Sequence, residues 1–357
     1  MDFGICVTTK LSDVDECVEF ERLGFDAIWV PDSQMIWGDC YAYLALAAER
    51  TESIRIGTGV SVAGTRIPPV TAHSIASINT IAPGRTFLGM GAGNSAHRFL
   101  DHKPLPIAKY GEELRVIREL LDGQETEYTF RGKTAPTRLL MADLGYVNIE
   151  DRIPIMVSGF GPKSQALAGM YGDGLVTSLP PEPRAIARAL ETARRGAESV
   201  GRELPDPFPV VSLTNVVVLE DGEGVLSDRI IEENGAYVIS SLHYIYDKIR
   251  QYGGEPPRHL QPIWDDYAAL VEQTPEHIRH LRIHDGHCTF LRDDERPFIT
   301  EELLRTTCVV GTATEVAAKL NELQDAGLDE IMMLPAPGTQ VRVARQFAET
   351  VMPLLAA

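Results

Sequence analysis

Residues 54–95 read IRIGTGVSVAGTRIPPVTAHSIASINTIAPGRTFLGMGAGNS: two short apolar runs, each ending in a glycine cluster, with a small-residue helical pattern between them. Strand, loop, helix, strand, loop is the grammar of a βαβ unit, and both glycine clusters fall at the carboxyl ends of their strands. In parallel α/β folds that edge binds ligands. The same unit recurs along the chain. Strands are expected at Phe3–Thr9, Ala27–Asp32, Ile54–Val62, Arg85–Gly91, Ile153–Ser158, Leu175–Ser178 and Pro209–Leu219. Helical patterns lie between them, one capped by Ser12 and others over Tyr41–Arg50, Ala108–Leu121 and Pro183–Val200, while Glu125–Leu140 reads as an exposed hairpin. The eighth unit is displaced: a helix over Thr312–Ala326, a strand at Glu330–Leu334 and a closing helix over Val341–Leu355.

Eight such units in 357 residues, with no polar or Pro/Gly-rich linker, predict one α/β domain over residues 1–357. Its expected form is a TIM (β/α)8 barrel. Between about residues 230 and 307 the rhythm breaks into helical pieces and the His-rich run HIRHLRIHDGHCTF. This late insertion is expected over the catalytic face, where barrels carry their functional loops.

Charge and composition exclude several classes of function. A formal net charge of −18 repels phosphate backbones and anionic membranes, so neither nucleic acid nor a membrane is an expected partner. The start MDFGICVTTK lacks a secretory pattern and no long apolar window exists, which predicts a cytoplasmic chain. The five cysteines show no C-x-x-C spacing, as expected of reduced core thiols. There is no P-loop and no G-x-S-x-G elbow, and the Gly89, Gly91, Gly93 run meets Asn94 where a dinucleotide fingerprint needs its last glycine.

The segments IGTGVSVAGTRIPP, GRTFLGMGAGNSAHR, PIMVSGFGPKSQALAGMYGDG and FERLGFDAIWVPDS together resemble the bacterial-luciferase-like superfamily of flavin and deazaflavin oxidoreductases. VVGTATEVAAKLNELQDAGLDEIMML extends the likeness to the last unit, and KPLPIAKYGEELRVIRELLDG is more similar to the coenzyme F420-dependent reductase and dehydrogenase branch, typified by methylenetetrahydromethanopterin reductase. The resemblance implies a non-proline cis peptide between Gly59 and Val60 behind the cofactor ring. It implies further cofactor contacts from Gly93, Asn94 and Ser95, from Ser158, Gly159, Phe160, Gly161, Pro162 and Lys163, with Ser164 beside them, and from Thr177 and Ser178. F420 is the expected cofactor and FMN the alternative. Hydride transfer to or from a small organic substrate is the first expectation. A reduced-FMN monooxygenase is the second, and a non-catalytic ligand-binding barrel the third. Relatives commonly dimerise through barrel helices, so a homo-oligomer is expected.

The catalytic groups are read more coarsely. Asp32 stands where family dehydrogenases often carry Asp-His, but Ser33 follows it here, which leaves Asp32 as a ring-contacting or orienting group. His280, His284 and His287 would share one helical face if the segment stayed helical, but Gly286 interrupts it; without a Glu in the pattern no metal is expected, and His287 is the candidate pocket donor or acid. Arg66 and His97 are candidates for the anionic tail of the cofactor. Trp37, Trp264, Tyr237 and Tyr267 are candidate pocket walls.

Overall fold

The computed structural model describes residues 1–178 and 180–355. Among these the strands are β1 (Asp2–Cys6), β2 (Ala27–Val30), β3 (Arg55–Thr58), β4 (Ser61–Val62), β5 (Thr86–Gly91), β6 (Thr126–Phe130), β7 (Lys133–Thr137), β8 (Ile155–Ser158), β9 (Gly174–Thr177), β10 (Val210–Leu213), β11 (Val216–Val218), β12 (Val309–Gly311) and β13 (Glu330–Met333). Eight of them form a closed parallel barrel in the order β3, β2, β1, β13, β10, β9, β8, β5, with β5 returning to β3. Helices join the strands, which is the TIM barrel expected. β6 and β7 form the side hairpin, and no helix among the described residues is long and apolar enough to cross a membrane.

Strand alternation sorts the barrel residues into two cores. Ile5, Ile28, Val30, Ile56, Leu88, Met90, Ile155, Val157, Leu175 and Ile331 point outward into the layer of helices. Trp29, Phe87, Met156, Val176, Val211 and Met332 point inward and fill the lower barrel. A Cβ at Gly57 would run into the Phe87 ring, so glycine there makes room for the plug. The same inward register then ends at the top in Cys6, Gly59, Gly91, Ser158, Leu213 and Leu334. The small groups among them, Cys6, Gly59, Gly91 and Ser158, leave a cavity at the C-terminal mouth above the aromatic plug.

Glu330 lies at the opposite, N-terminal end of the barrel. The Trp29 indole N–H donates to its Oε1 at 2.6 Å and Arg55 reaches its Oε2 at 3.2 Å, yet burial pushes its carboxyl up to about 7. A carboxyl raised in the folded state binds its proton more tightly there, so its stabilising effect is complete below about pH 4.5 and is lost as pH rises through 7. Glu330→Gln is therefore expected to remove about 3 kcal/mol of the stability lost between pH 5 and pH 8. Urea unfolding at the two pH values checks this; equal pH slopes in both proteins would show that Glu330 ionises freely.

Three expectations need correction. Ser12 does not cap a helix; its hydroxyl donates to Asp13, residues 11–13 form a short 3-10 turn, and the helix begins at Glu16. The run Pro209–Leu219 is two strands: β10 belongs to the barrel, and after Thr214 and Asn215 the chain leaves it to pair β11 with β12 outside. Likewise Ile54–Val62 breaks into β3 and β4 at the Gly59–Val60 peptide, which is cis as the resemblance implied.

The segment between β11 and β12 folds into helices over Asp228–Tyr252, Gln261–Glu272, Arg279–His284 and Glu301–Thr307. Their apolar faces meet in a third core of Ile230, Ile231, Val238, Ile239, Leu242, Tyr246, Tyr267, Val271, Ile283, Leu303 and Leu304, and the layer roofs the barrel mouth.

Candidate active site

A cavity of about 350 Å³ opens where the barrel strands end. One arc of its wall comes from β3, β5 and β8 and their loops: Gly59, Val60, Gly91, Gly93, Asn94, Ser95, Ser158, Phe160, Gly161 and Ser164. Val60 turns inward across this arc. A Cβ on Gly91 would stand 2.8 Å from Val60 Cγ2, so glycine there lets the wall lie flat. The facing arc comes from β1, β13 and β10 and carries Cys6, Leu334 and Leu213. Asp32, Ser33 and Trp37 of the β2 loop lie between the arcs, and Tyr244, His287 and Cys288 descend from the roof.

Asp32 is the charged side chain of this wall. It is 5% exposed, and burial raises its carboxyl while the ion pair with Arg66 opposes the rise. Arg66 also reaches Asp39 at 2.8 Å and lies 5.0 Å from the Tyr41 ring centre. The guanidinium is thus committed to the protein's own carboxylates. Arg66 is not among the residues that line the cavity.

The roof is tied to the glycine arc by buried polar bonds. Ser95 and Tyr244 share a hydroxyl–hydroxyl hydrogen bond of 2.6 Å, Arg98 Nε donates to Asn94 Oδ1 at 2.7 Å, and Arg98 faces Asp247 at 3.6 Å. Trp37 donates to Thr289 at 2.9 Å, closing the other side. Asp247 also holds His284 Nε2 at 3.2 Å. Burial works against the Asp247 carboxylate, but His284, Arg98 and Arg250 outweigh it and hold it below its ordinary range. Next to this pair, burial together with His284 and His243 pushes His287 well below an ordinary histidine. His287 is therefore neutral at pH 7. His287 lines the cavity; its Nε2 faces the Cys288 thiol at 3.8 Å and its Nδ1 is buried without a hydrogen-bond partner.

The structure thus brings Asp32, Gly59, Val60, Gly93, Asn94, Ser95, Ser158, Phe160, Gly161 and His287 together around one space. Others stand apart. His97 Nε2 bonds the Ala63 carbonyl at 2.8 Å and fastens two loops behind the wall. Gly159 is packed against the start of the helix Pro162–Tyr171, where Ser164 hydrogen-bonds the Gly161 backbone; Pro162 and Lys163 are exposed there. Thr177 has the outward parity of its strand and is fully buried, and Ser178 is turned to Tyr237. Tyr237 packs beside Leu213, whose carbonyl accepts its hydroxyl at 2.9 Å. Trp264 and Tyr267 belong to the roof's own core and not to the pocket. The triple histidine face dissolves because the helix stops at His284 and Gly286 turns the chain. Cys6, Leu213, Tyr244, Cys288 and Leu334 were not foreseen; inward parity along β1, β10 and β13 would have found the three that lie on or just past strands.

A closed barrel with a ligand cavity at its C-terminal mouth, walled by glycine loops and roofed by a late insertion, has the architecture of a TIM-barrel enzyme. Residues 1–330 match the luciferase-like monooxygenase family, and the chain belongs to it. It is 26% identical over 322 residues to a 5,10-methylenetetrahydromethanopterin reductase of Archaeoglobus fulgidus, covering 87% of this chain and 86% of that one. To an F420-dependent glucose-6-phosphate dehydrogenase of Kineococcus radiotolerans it is 27% identical over 361 residues, 97% and 93% of the two chains. The fold matches the coenzyme F420-dependent tetrahydromethanopterin reductase of Methanopyrus kandleri with a TM-score of 0.71, at 20% identity over 99% and 98% of the chains.

Proposed function

We propose that the chain is an F420-dependent oxidoreductase that transfers a hydride between the deazaflavin and a small organic substrate. The carrying observation is the pairing of a flat glycine-walled arc with the neutral imidazole of His287 across one cavity. The residues present fit the group: backbone and small side chains at Gly91, Gly93, Ser95, Ser158 and Gly161 would leave room for a planar ring, and Val60 and Asp32, the latter paired with Arg66, line the same cavity. Lys163, exposed next to the lining residues Gly161 and Ser164, and Lys103, next to Pro104, stand at the rim for an anionic tail. When bound, the deazaflavin would supply a two-electron centre for hydride at carbon, which would leave the hydroxyl proton of an alcohol to the protein.

The chain's own part is placement and proton handling. Asn94 and Ser95, held by Arg98 and Tyr244, fix the loop that grips the cofactor, and the roof excludes water. His287 accepts the hydroxyl proton in oxidation and returns it in reduction. The glucose-6-phosphate dehydrogenase relative named as F420-dependent supports this reading, and the family's description as a monooxygenase supports reduced FMN as the second. Five buried, unpaired thiols fit the reducing cytoplasm, and a homo-oligomer remains part of the proposal.

Fluorescence titration separates the two cofactors. F420 is expected to bind more tightly than FMN, and Lys163→Glu to weaken F420 by about two- to fivefold, the worth of an exposed ion pair, with little effect on FMN. Tighter FMN binding would transfer the assignment to the monooxygenase reading.

A further inference from the structure

The two arcs of the cavity differ in chemistry, and the difference speaks to the substrate. In barrel order β3, β5 and β8 are contiguous, and so are β1, β13 and β10 on the opposite side. The first arc is glycine, serine and backbone amide, suited to the cofactor. The second presents Cys6, Leu334 and Leu213, continued by Cys288 from the roof, and Trp37 packs onto the same apolar group. No lysine or arginine lines the cavity among the described residues, and its carboxylate, Asp32, is satisfied by Arg66. At the mouth Phe160 is 48% exposed, and Met35, between the lining residues Ser33 and Trp37, is 65% exposed. A phosphate ester or polycarboxylate entering here would leave its charges desolvated and unpaired, which is costly. An apolar body would bury its surface against the second arc.

Resting on the reading of a cofactor in the glycine arc, we infer that the substrate is a neutral, compact, largely apolar alcohol or ketone. Its hydrocarbon body lies against Cys6, Leu213, Cys288 and Leu334, and its oxygen is directed toward His287. The selectivity is by exclusion as much as by attraction: the arc has no cation to accept a phosphate and no hydrogen-bonding row to accept a polyol.

Two arms test this. In the first, F420-loaded protein is assayed with cyclohexanol, cycloheptanol and glucose 6-phosphate by the loss of F420 absorbance. The cyclic alcohols are expected to exceed the phosphate ester in kcat/KM by about a hundredfold or more. Comparable or faster turnover of glucose 6-phosphate, or no turnover of either alcohol while F420 binds, overturns the inference and leaves the cofactor reading standing. In the second arm, cyclohexanone is added to cofactor-free protein and the melting temperature followed. A rise that is lost in Leu213→Asp and reduced in the milder Leu213→Thr supports the apolar arc even if F420 does not bind. No rise in the wild-type protein, or an equal rise in Leu213→Thr, counts against it.

Discussion

Replacing His287 with asparagine is expected to lower kcat by about a hundred- to a thousandfold at pH 7, the usual worth of a positioned acid–base group, while F420 affinity stays within about twofold. Asparagine keeps a polar group of similar size in the roof but cannot take a proton. The pH profile supplies the second half of this expectation. Burial and the neighbouring histidines keep His287 neutral below the ordinary histidine range, so the acid limb of kcat/KM for alcohol oxidation lies below pH 6.5. That limb disappears in His287→Asn. Should the variant keep a third or more of the wild-type kcat, the proton passes through another group, with Asp32 the next to examine.

Arg66→Ala is expected to destabilise the protein by about 3 kcal/mol at pH 7, because it leaves the buried Asp32 carboxylate without its cation. Asp32 is already raised by burial, so in the variant it escapes by protonation. A raised carboxyl loses its stabilising effect as pH increases through its folded value; the cost of Arg66→Ala is therefore smaller at pH 5 than at pH 7. The double variant Asp32→Asn, Arg66→Ala is expected to recover most of the loss. Equal losses in the single and double variants, measured by urea unfolding, would show that Arg66 stabilises through its contact with Tyr41 rather than through the ion pair.

Much of the barrel was legible because its signals are local. β-branched runs, glycine stops and helical spacing lie within ten or fifteen residues of one another, and the hairpin and closing units follow the same logic. Contacts across the barrel were not legible. Arg66 and Asp32 are 34 residues apart, and only the pairing of β2 with β3 brings their loops together. Glycine runs are ambiguous for a related reason: Gly57 makes space for Phe87 while Gly91 flattens the wall under Val60, yet both read as ligand glycines in the sequence. Thr177 was misplaced because a strand's end was read without its parity. The roof hid most: Tyr267 and Trp264 share the His-rich segment's neighbourhood with His287, but helical packing turns them into a separate core.

That separate core has an evolutionary consequence. A roof folded around Ile230, Leu242, Tyr267 and Leu303 answers for its own cohesion, and the plugged lower barrel answers for its own. Substitutions that reshape the surface facing the substrate are charged to the smaller module and leave the larger one intact. The roof is then where new specificities can accumulate by drift and selection without disturbing the glycine loops below it.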